Sequence, residues 1–318
     1  MIIEKTARNV NSYKRYEFFY NSAREGMFDL LENMSRSGLI KKVFLPGYIG
    51  WSPKEGSGIF DPISKLDDVE VDYYKMTSDL CINYDDLLNR ISKLNTCKFV
   101  VLIVNYFGFI DSNIGQVCNL IRNHSGWIVE DNAHGFFTYH FAEKTFSDAT
   151  FFSLHKMFPF IKGGSLLINS DKLTGLIYKG SNTVPPDINP WLYDLGKIAE
   201  VRKSNYIILD KIIKEMECDK YFVPLRTQDS IKNVVPQTYP IKIITGNRDK
   251  IYELMNNSGY GIVSLYHTLI ESLRSKEYQE SYDLSRCILN LPVHQDVDNE
   301  RYSDMIKFLI KCCIQTSI

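Results

Sequence analysis

Four side chains in this sequence could do chemistry together: Asp131, His134, Ser153 and Lys156. Lys156 lies inside FFSLHKMFPFIKGGSLLINS, Phe151 to Ser170, an aromatic and aliphatic run that contains the pair Gly163-Gly164. A lysine in such a place has two readings. Its apolar stem can lie along hydrophobic surface with the ammonium in water. Alternatively, a partly dry pocket makes the proton easier to lose and the amine nucleophilic, as in Schiff-base lysines. The segment alone leaves both open.

Around these residues, strands alternate with helices. Met27, Leu30, Leu31 and Met34 are spaced along one helical face, which predicts a helix over Ala23 to Ser35. Lys42 to Pro46 reads as a short strand. KFVVLIVNYFG, Lys98 to Gly108, is a near-continuous β-branched run of the kind buried on both faces of a parallel sheet. A helix over Ser112 to Asn123 follows, then strands at Gly126 to Glu130, Ala149 to Ser153 and Ser165 to Asn169. This order argues for an α/β fold with a mostly parallel sheet flanked by helices.

GSNTVPPDINP, Gly180 to Pro190, reads as a loop, and Trp191 to Met216 as a long helix. Beyond it come a strand at Tyr239 to Ile244, a helix at Asp249 to Ser258 and a final helix at Asn299 to Cys312, an α+β pattern. A chain of 318 residues exceeds the size at which one core stops growing. The expected division is a large α/β domain over 1–190, an interdomain helix over 191–220 and a small C-terminal domain over 221–318.

Open parallel sheets bind ligands beyond the carboxyl ends of their strands. Asp131 stands at one such end, with Asn132, Ala133 and His134 behind it; Ser153 stands at another, with Lys156 three residues on. Ser22, Ala23 and Arg24 open the first helix with small residues and backbone N–H groups, which suits a phosphate. A strand-end carboxylate, a lysine and a phosphate cradle are the parts needed to hold pyridoxal phosphate. Singly, each has an ordinary explanation as helix cap or turn residue.

Composition narrows the rest. Lysine plus arginine (37) and aspartate plus glutamate (38) nearly cancel, which removes the electrostatic case for nucleic acid or an anionic membrane as partner. No signal-peptide core or membrane-length apolar run is evident. Seven cysteines (Cys81, Cys97, Cys118, Cys218, Cys287, Cys312 and Cys313), without a CxxC pair, indicate neither a disulfide framework nor a metal site. The expectation is a reduced, cytoplasmic protein.

Val129-Glu130-Asp131-Asn132-Ala133-His134 resembles the strand, Glu-Asp, small residue and Gln/His series of the DegT/StrS-type nucleotide-sugar aminotransferases. Ser147-Asp148, Phe152-Ser153, Lys156 and Gly163-Gly164 resemble that family's later Asp, Ser-Phe, Lys and Gly-Gly series. Ser22-Ala23-Arg24, Leu45-Pro46-Gly47-Tyr48, Val104 to Gly108 and Leu289 to His294 are similar to its outlying motifs. The resemblance implies the fold of type I pyridoxal-phosphate enzymes, with a smaller α+β domain at the C-terminus, and a homodimer. It implies Lys156 as Schiff-base lysine and proton shuttle, Asp131 paired to the pyridine nitrogen and His134 against the ring or its phenolic oxygen. Ser153 with Ser22, Ala23 and Arg24 would hold the phosphate, and either Tyr48 or Trp51 would stack on the ring.

The implied activity is transfer of an amino group, from glutamate or a similar donor, to a keto-sugar nucleotide in surface polysaccharide or glycan biosynthesis. A sugar dehydratase is the alternative raised by His155, because some relatives carry histidine in place of the lysine. A non-catalytic sensor or scaffold is the alternative raised by the short chain. The lysine follows the serine by three residues where the family commonly has five, and the loop Gly50 to Pro62 is longer than the family's. Other residues have ordinary readings: Glu130 as structural or solvent-facing, His124, His140 and His267 as surface or core histidines, and Lys162 as a turn lysine.

Overall fold

The computed structural model describes residues 16–54, 56–95, 98–141, 146–177, 179–226 and 231–317. The sequence readings for residues 1–15 and Cys97 lie outside them. The chain begins with β1 (Glu17–Tyr20), α1 (Ala23–Arg36), β2 (Lys42–Pro46), α2 (Phe60–Ile63), β3 (Glu70–Tyr74), α3 (Tyr84–Ser92) and β4 (Phe99–Val104). Next come α4 (Ile114–Asn123), β5 (Trp127–Asp131), α5 (Phe136–Phe141), β6 (Ala149–Ser153) and β7 (Gly164–Ile168). These strands form one seven-stranded sheet in the order β1-β7-β6-β5-β4-β2-β3. The pairs from β3 through β6 are parallel, and β7 and β1 complete the edge in antiparallel sense.

The core follows from the pattern. FVVLIV in β4 is buried nearly throughout, as expected of a strand covered on both faces. Met27, Leu30, Leu31 and Met34 of α1 are all buried against the sheet. Asn83 caps α3 by accepting the Asp86 N–H.

Beyond β7 lie α6 (Leu195–Glu215), β8 (Phe222–Pro224), β9 (Thr238–Ile243), α7 (Arg248–Asn257), α8 (Gln279–Cys287), β10 (Ile288–Pro292) and α9 (Tyr302–Gln315). Here the sheet is antiparallel, in the order β10-β9-β8.

Several expectations are corrected. The strand expected to run to Gly108 stops at Val104, because the Asn105 N–H turns to the Asp131 carbonyl and Tyr106–Gly108 coil into a 3-10 turn with Phe107 at φ +57°. The long helix starts at Leu195 rather than Trp191: Pro190–Leu192 form a separate turn, and Asp194 caps the helix through the Lys197 N–H. Of the two readings for Glu130, structural or solvent-facing, the first holds: it is buried and accepts the Ser147 hydroxyl at 2.9 Å. β1, β3, α3 and β10 are elements that the sequence pattern did not announce.

Candidate active site

Asp131 closes β5 between two strand ends. The Asn105 N–H donates to its carbonyl from the β4 side, and the Asn132 N–H donates to the Phe151 carbonyl on the β6 side. Beneath it, Asn105 Nδ2 donates to Asn132 Oδ1, and Asn132 Nδ2 to Thr150 Oγ1, both at 2.9 Å, fixing the turn that follows. The Asp131 carboxylate is buried and accepts the Ala133 N–H at 2.8 Å. Burial pushes its pKa up to about 6, against the opposing pull of the Ala133 N–H and Lys156.

His134 is buried beside it, its ring stacked at 14° on Phe107. The Phe107 N–H can only donate, and it reaches His134 Nδ1 at 3.4 Å. Nε2 lies 3.2 Å from Lys156 Nζ. Burial and the lysine hold this imidazole well below the usual histidine range, so it is neutral.

The Ser153-to-Lys156 spacing is a single 3-10 turn. β6 ends at Ser153, Leu154–Lys156 coil once, and the Leu154 N–H is tied to the Gly163 carbonyl at 3.0 Å. Leu154 and Met157 are buried anchors, leaving His155 and Lys156 exposed above them. His155 Nδ1 sits between Ser153 Oγ (3.3 Å) and the Gly163 carbonyl (3.4 Å). Lys156 thus turns toward His134 and Asp131, and His155 toward the serine. The flanking aromatic run divides accordingly: Phe152 and Phe158 pack on Phe136, whereas Ile161 is fully exposed.

Gly163-Gly164 is the seat of α1. The Gly163 N–H donates to the Asn21 carbonyl at 2.7 Å, and Gly164 pairs with both Tyr20 and Ser153. A Cβ on Gly164 would stand 2.2 Å from Ala23 N and 2.4 Å from the Ser22 carbonyl carbon. Only glycine lets the helix start come this close to the strand. Ser22 places its hydroxyl on Glu25, at 3.3 Å, and makes no side-chain cap of its own helix.

These parts open onto one cavity of about 280 Å³. Ser22, Ala23, Arg24, Trp51, Asp131, His134, Ser153 and Lys156 all line it. Tyr48 does not: it is fully buried beneath, and its hydroxyl donates to the Tyr266 carbonyl at 3.3 Å. Two further walls went unread in the sequence. Ser52, Gly56 and Ser57 close one side from the long loop, and Ser264 to His267 close another from the C-terminal part. His267, read from sequence as an ordinary histidine, is exposed on this wall. Nothing near Tyr266 in the sequence signals its place, because backbone bonds from a distant segment put it there: Trp51 N–H to the Thr268 carbonyl and Ile270 N–H to the Ile49 carbonyl.

Arranged this way, the cavity is lined by a lysine beside a neutral imidazole, a buried carboxylate and the N-terminus of a helix. A carboxylate and a helix N-terminus in one cavity suit a flat ligand that carries a cationic ring and a phosphate. No family model matches the sequence, and no curated protein is similar to it. Solved structures are similar in fold. Spr1654 of Streptococcus pneumoniae, described as a sugar aminotransferase and solved in its PMP form, superposes with a TM-score of 0.74 at 15% identity over 97% of this chain and 89% of its own. Helicobacter pylori PseC, an aminotransferase of pseudoaminic acid biosynthesis, gives 0.72 at 15% identity over 95% and 88%. The GDP-4-keto-6-deoxy-D-mannose-3-dehydratase of E. coli, with hydrated PLP, gives 0.70 at 14% identity over 94% and 88%. The chain has the fold of the type I pyridoxal-phosphate transferases.

Proposed function

We propose that this chain is a pyridoxal-phosphate-dependent aminotransferase acting on a keto-sugar nucleotide, with glutamate or a similar amino acid as donor. The reading is carried by one observation: Lys156, His134 and the buried Asp131 carboxylate line a single cavity that the N-terminus of α1 also lines. The fold and the names of its neighbours, two sugar aminotransferases and a sugar dehydratase among them, support the same class.

The residues fit the cofactor on their own chemistry. Gly164 lets the backbone that starts α1 sit directly against the sheet, and that helix start, which borders the cavity, attracts an anionic phosphate, with Ser153 and Arg24 on the same lining. Asp131 has one hydrogen bond from Ala133 and a raised affinity for a proton, as suits a partner for a ring N–H. When bound, the group supplies an aldehyde carbon and an electron-withdrawing ring.

The protein's own part follows from its geometry. Lys156 Nζ would hold the group as the nucleophilic amine and, when not so engaged, would serve as the base that moves the substrate's proton. His134 Nε2, 3.2 Å from that nitrogen, is its hydrogen-bond partner and so orients it. Asp131, ionised opposite a cationic ring, holds the positive charge in place. Trp51, 40% exposed on the cavity wall, offers a face to the incoming substrate. We read residues 1–190 as the cofactor-binding unit, 191–220 as the connecting helix and 221–318 as the covering unit, in a cytoplasmic homodimer serving glycan biosynthesis.

The dehydratase reading has His155 and the E. coli neighbour in its favour. Against it, His155 is engaged with Ser153 and the Gly163 carbonyl, and Lys156 reaches His134. The two readings separate in a two-step assay. Glutamate should convert the loaded protein's absorbance to that of the aminated cofactor and yield 2-oxoglutarate, and a keto-sugar nucleotide should restore it and appear as an amino sugar. Deoxygenated sugar with no amino product would establish the dehydratase. Absence of both products would leave the sensor or scaffold.

A further inference from the structure

Three buried side chains, none of which lines the cavity, link β4, β5 and β6 around Asp131: Asn105, Asn132 and Thr150. Their bonds run in one direction. Asn105 Nδ2 donates to Asn132 Oδ1, Asn132 Nδ2 donates to Thr150 Oγ1, and the Thr150 hydroxyl donates to the Glu130 carbonyl at 3.1 Å. The Asn132 N–H adds a backbone bond to the Phe151 carbonyl at 3.0 Å. Asn132 is therefore gripped from both neighbouring strands, and both chain neighbours of Asp131, Glu130 and Asn132, are tied to β6.

Gly135 leaves room for this amide. A Cβ there would stand 2.3 Å from Asn132 Oδ1. That oxygen ends a side chain, but an amide bonded on both sides cannot swing away without breaking a bond. Stability does not account for the network, because Asn105 Oδ1 is buried with no hydrogen-bond partner among the described residues. A buried polar network with an unpaired member stabilises a fold less than apolar side chains of the same shape. What the network achieves is placement. It fixes the turn in which the Ala133 N–H meets the Asp131 carboxylate at 2.8 Å.

We infer that Asn132 is a positioning residue for Asp131: its amide, held between Asn105 and Thr150, keeps the carboxylate on the Ala133 N–H and in register with the end of β6, where Ser153 and Lys156 follow. The catalytic consequence rests on the reading of Asp131 as the partner of a cofactor ring. Asn132 acts on that partnership only through Asp131, since it does not reach the cavity itself.

The test compares wild type with Thr150→Val, which keeps the side chain's shape and removes the acceptor of Asn132 Nδ2, with Thr150→Ser, which keeps the hydroxyl, and with Asn132→Ala, which covers a folding failure of the valine variant. Hydrogen exchange in the ligand-free chain reads the Ala133 N–H directly. A pyridoxal phosphate titration followed by absorbance reads affinity, in each variant and again with Asp131→Asn added. Thr150→Val and Asn132→Ala should speed exchange at Ala133 about tenfold, the scale of one buried hydrogen bond left unmade, with α1 unchanged. Affinity should fall by a similar factor, and Thr150→Ser should match wild type in both. With Asp131→Asn added, the same substitutions should leave affinity where Asp131→Asn alone puts it. Unchanged exchange at Ala133, or an equal loss of affinity with Asp131→Asn added, overturns the positioning role while uptake by wild type leaves the cofactor reading standing. No uptake by wild type overturns the cofactor reading, and exchange at Ala133 then decides for or against Asn132 by itself.

Discussion

Gly164 and Ala23 stand so close that a Cβ on the first would lie 2.2 Å from the backbone nitrogen of the second. This contact sets the start of α1 against the end of β6, where Ser153 pairs with Gly164. The obstacle is backbone, which cannot swing aside as a long side chain does. Gly164→Ala should therefore cost about 1–3 kcal/mol of stability, typical of overpacking, and should weaken pyridoxal phosphate binding more than the stability loss alone explains. Urea unfolding of the ligand-free protein and a cofactor titration at low temperature check the two effects separately. An alanine variant with unchanged stability and affinity would show that the helix start is not seated by this glycine.

Asp131 gives a pH signature. Its folded pKa, about 6, lies above the ordinary 3.8. The carboxyl's favourable contribution is thus complete below about pH 3.8 and is lost as pH rises through 6. Above that, the ionised group costs the ligand-free fold up to about 3 kcal/mol, from 1.36 kcal/mol per pKa unit. Asp131→Asn should be more stable than wild type at pH 7.5, with the advantage shrinking toward pH 4. The same variant should bind the cofactor more weakly at every pH, because the ring nitrogen loses its anionic partner. Paired denaturation curves at the two pH values measure the first effect, and a variant less stable at pH 7.5 would contradict it.

Much of this arrangement was legible because its determinants are local. ATFFS ends where the strand ends, and Ser153, Lys156 and Gly163-Gly164 follow within one turn and one loop. Asp131 to His134 follow β5 in the same way. The buried positions of α1 repeat at helical spacing, so its face could be assigned. What stayed hidden depends on pairing across long stretches of chain. β1 exists because β7 pairs with it, and Tyr266 reaches the cavity because Ile49 and Trp51 bond its neighbours. Strand alternation left Glu130 as either structural or solvent-facing, and only Ser147, from beyond α5, decides for the first. The run Lys98 to Gly108 hides its own break, since Asn105 turns only once the Asp131 carbonyl is beside it.

Tyr48 and Trp51, indistinguishable as stacking candidates in the sequence, separate in the structure and in what their loss should do. Tyr48 is fully buried, with its carbonyl bonded by the Tyr106 hydroxyl and its ring packed edge-to-face on Tyr106 at 5.5 Å. Tyr48→Ala should lose about 3–5 kcal/mol, the range for deleting a large core side chain, and lower the thermal midpoint accordingly. Trp51 borders the cavity and is 40% exposed, so Trp51→Ala should leave the midpoint within about 1 °C, since exposed truncations fall within ±0.5 kcal/mol. Its effect should appear as a raised KM for the acceptor. The reverse order of stabilities would mean that the two residues have exchanged roles.

The central claim is that Lys156, and no other lysine, is the amine that meets the cofactor. The direct measurement is borohydride reduction of the protein loaded with pyridoxal phosphate, followed by peptide mapping by mass spectrometry. A single pyridoxyl label on Lys156, absent from Lys156→Ala, is the predicted result. A label on Lys162 or elsewhere with Lys156 unmodified, or no label at all in protein that has taken up the cofactor, would contradict it.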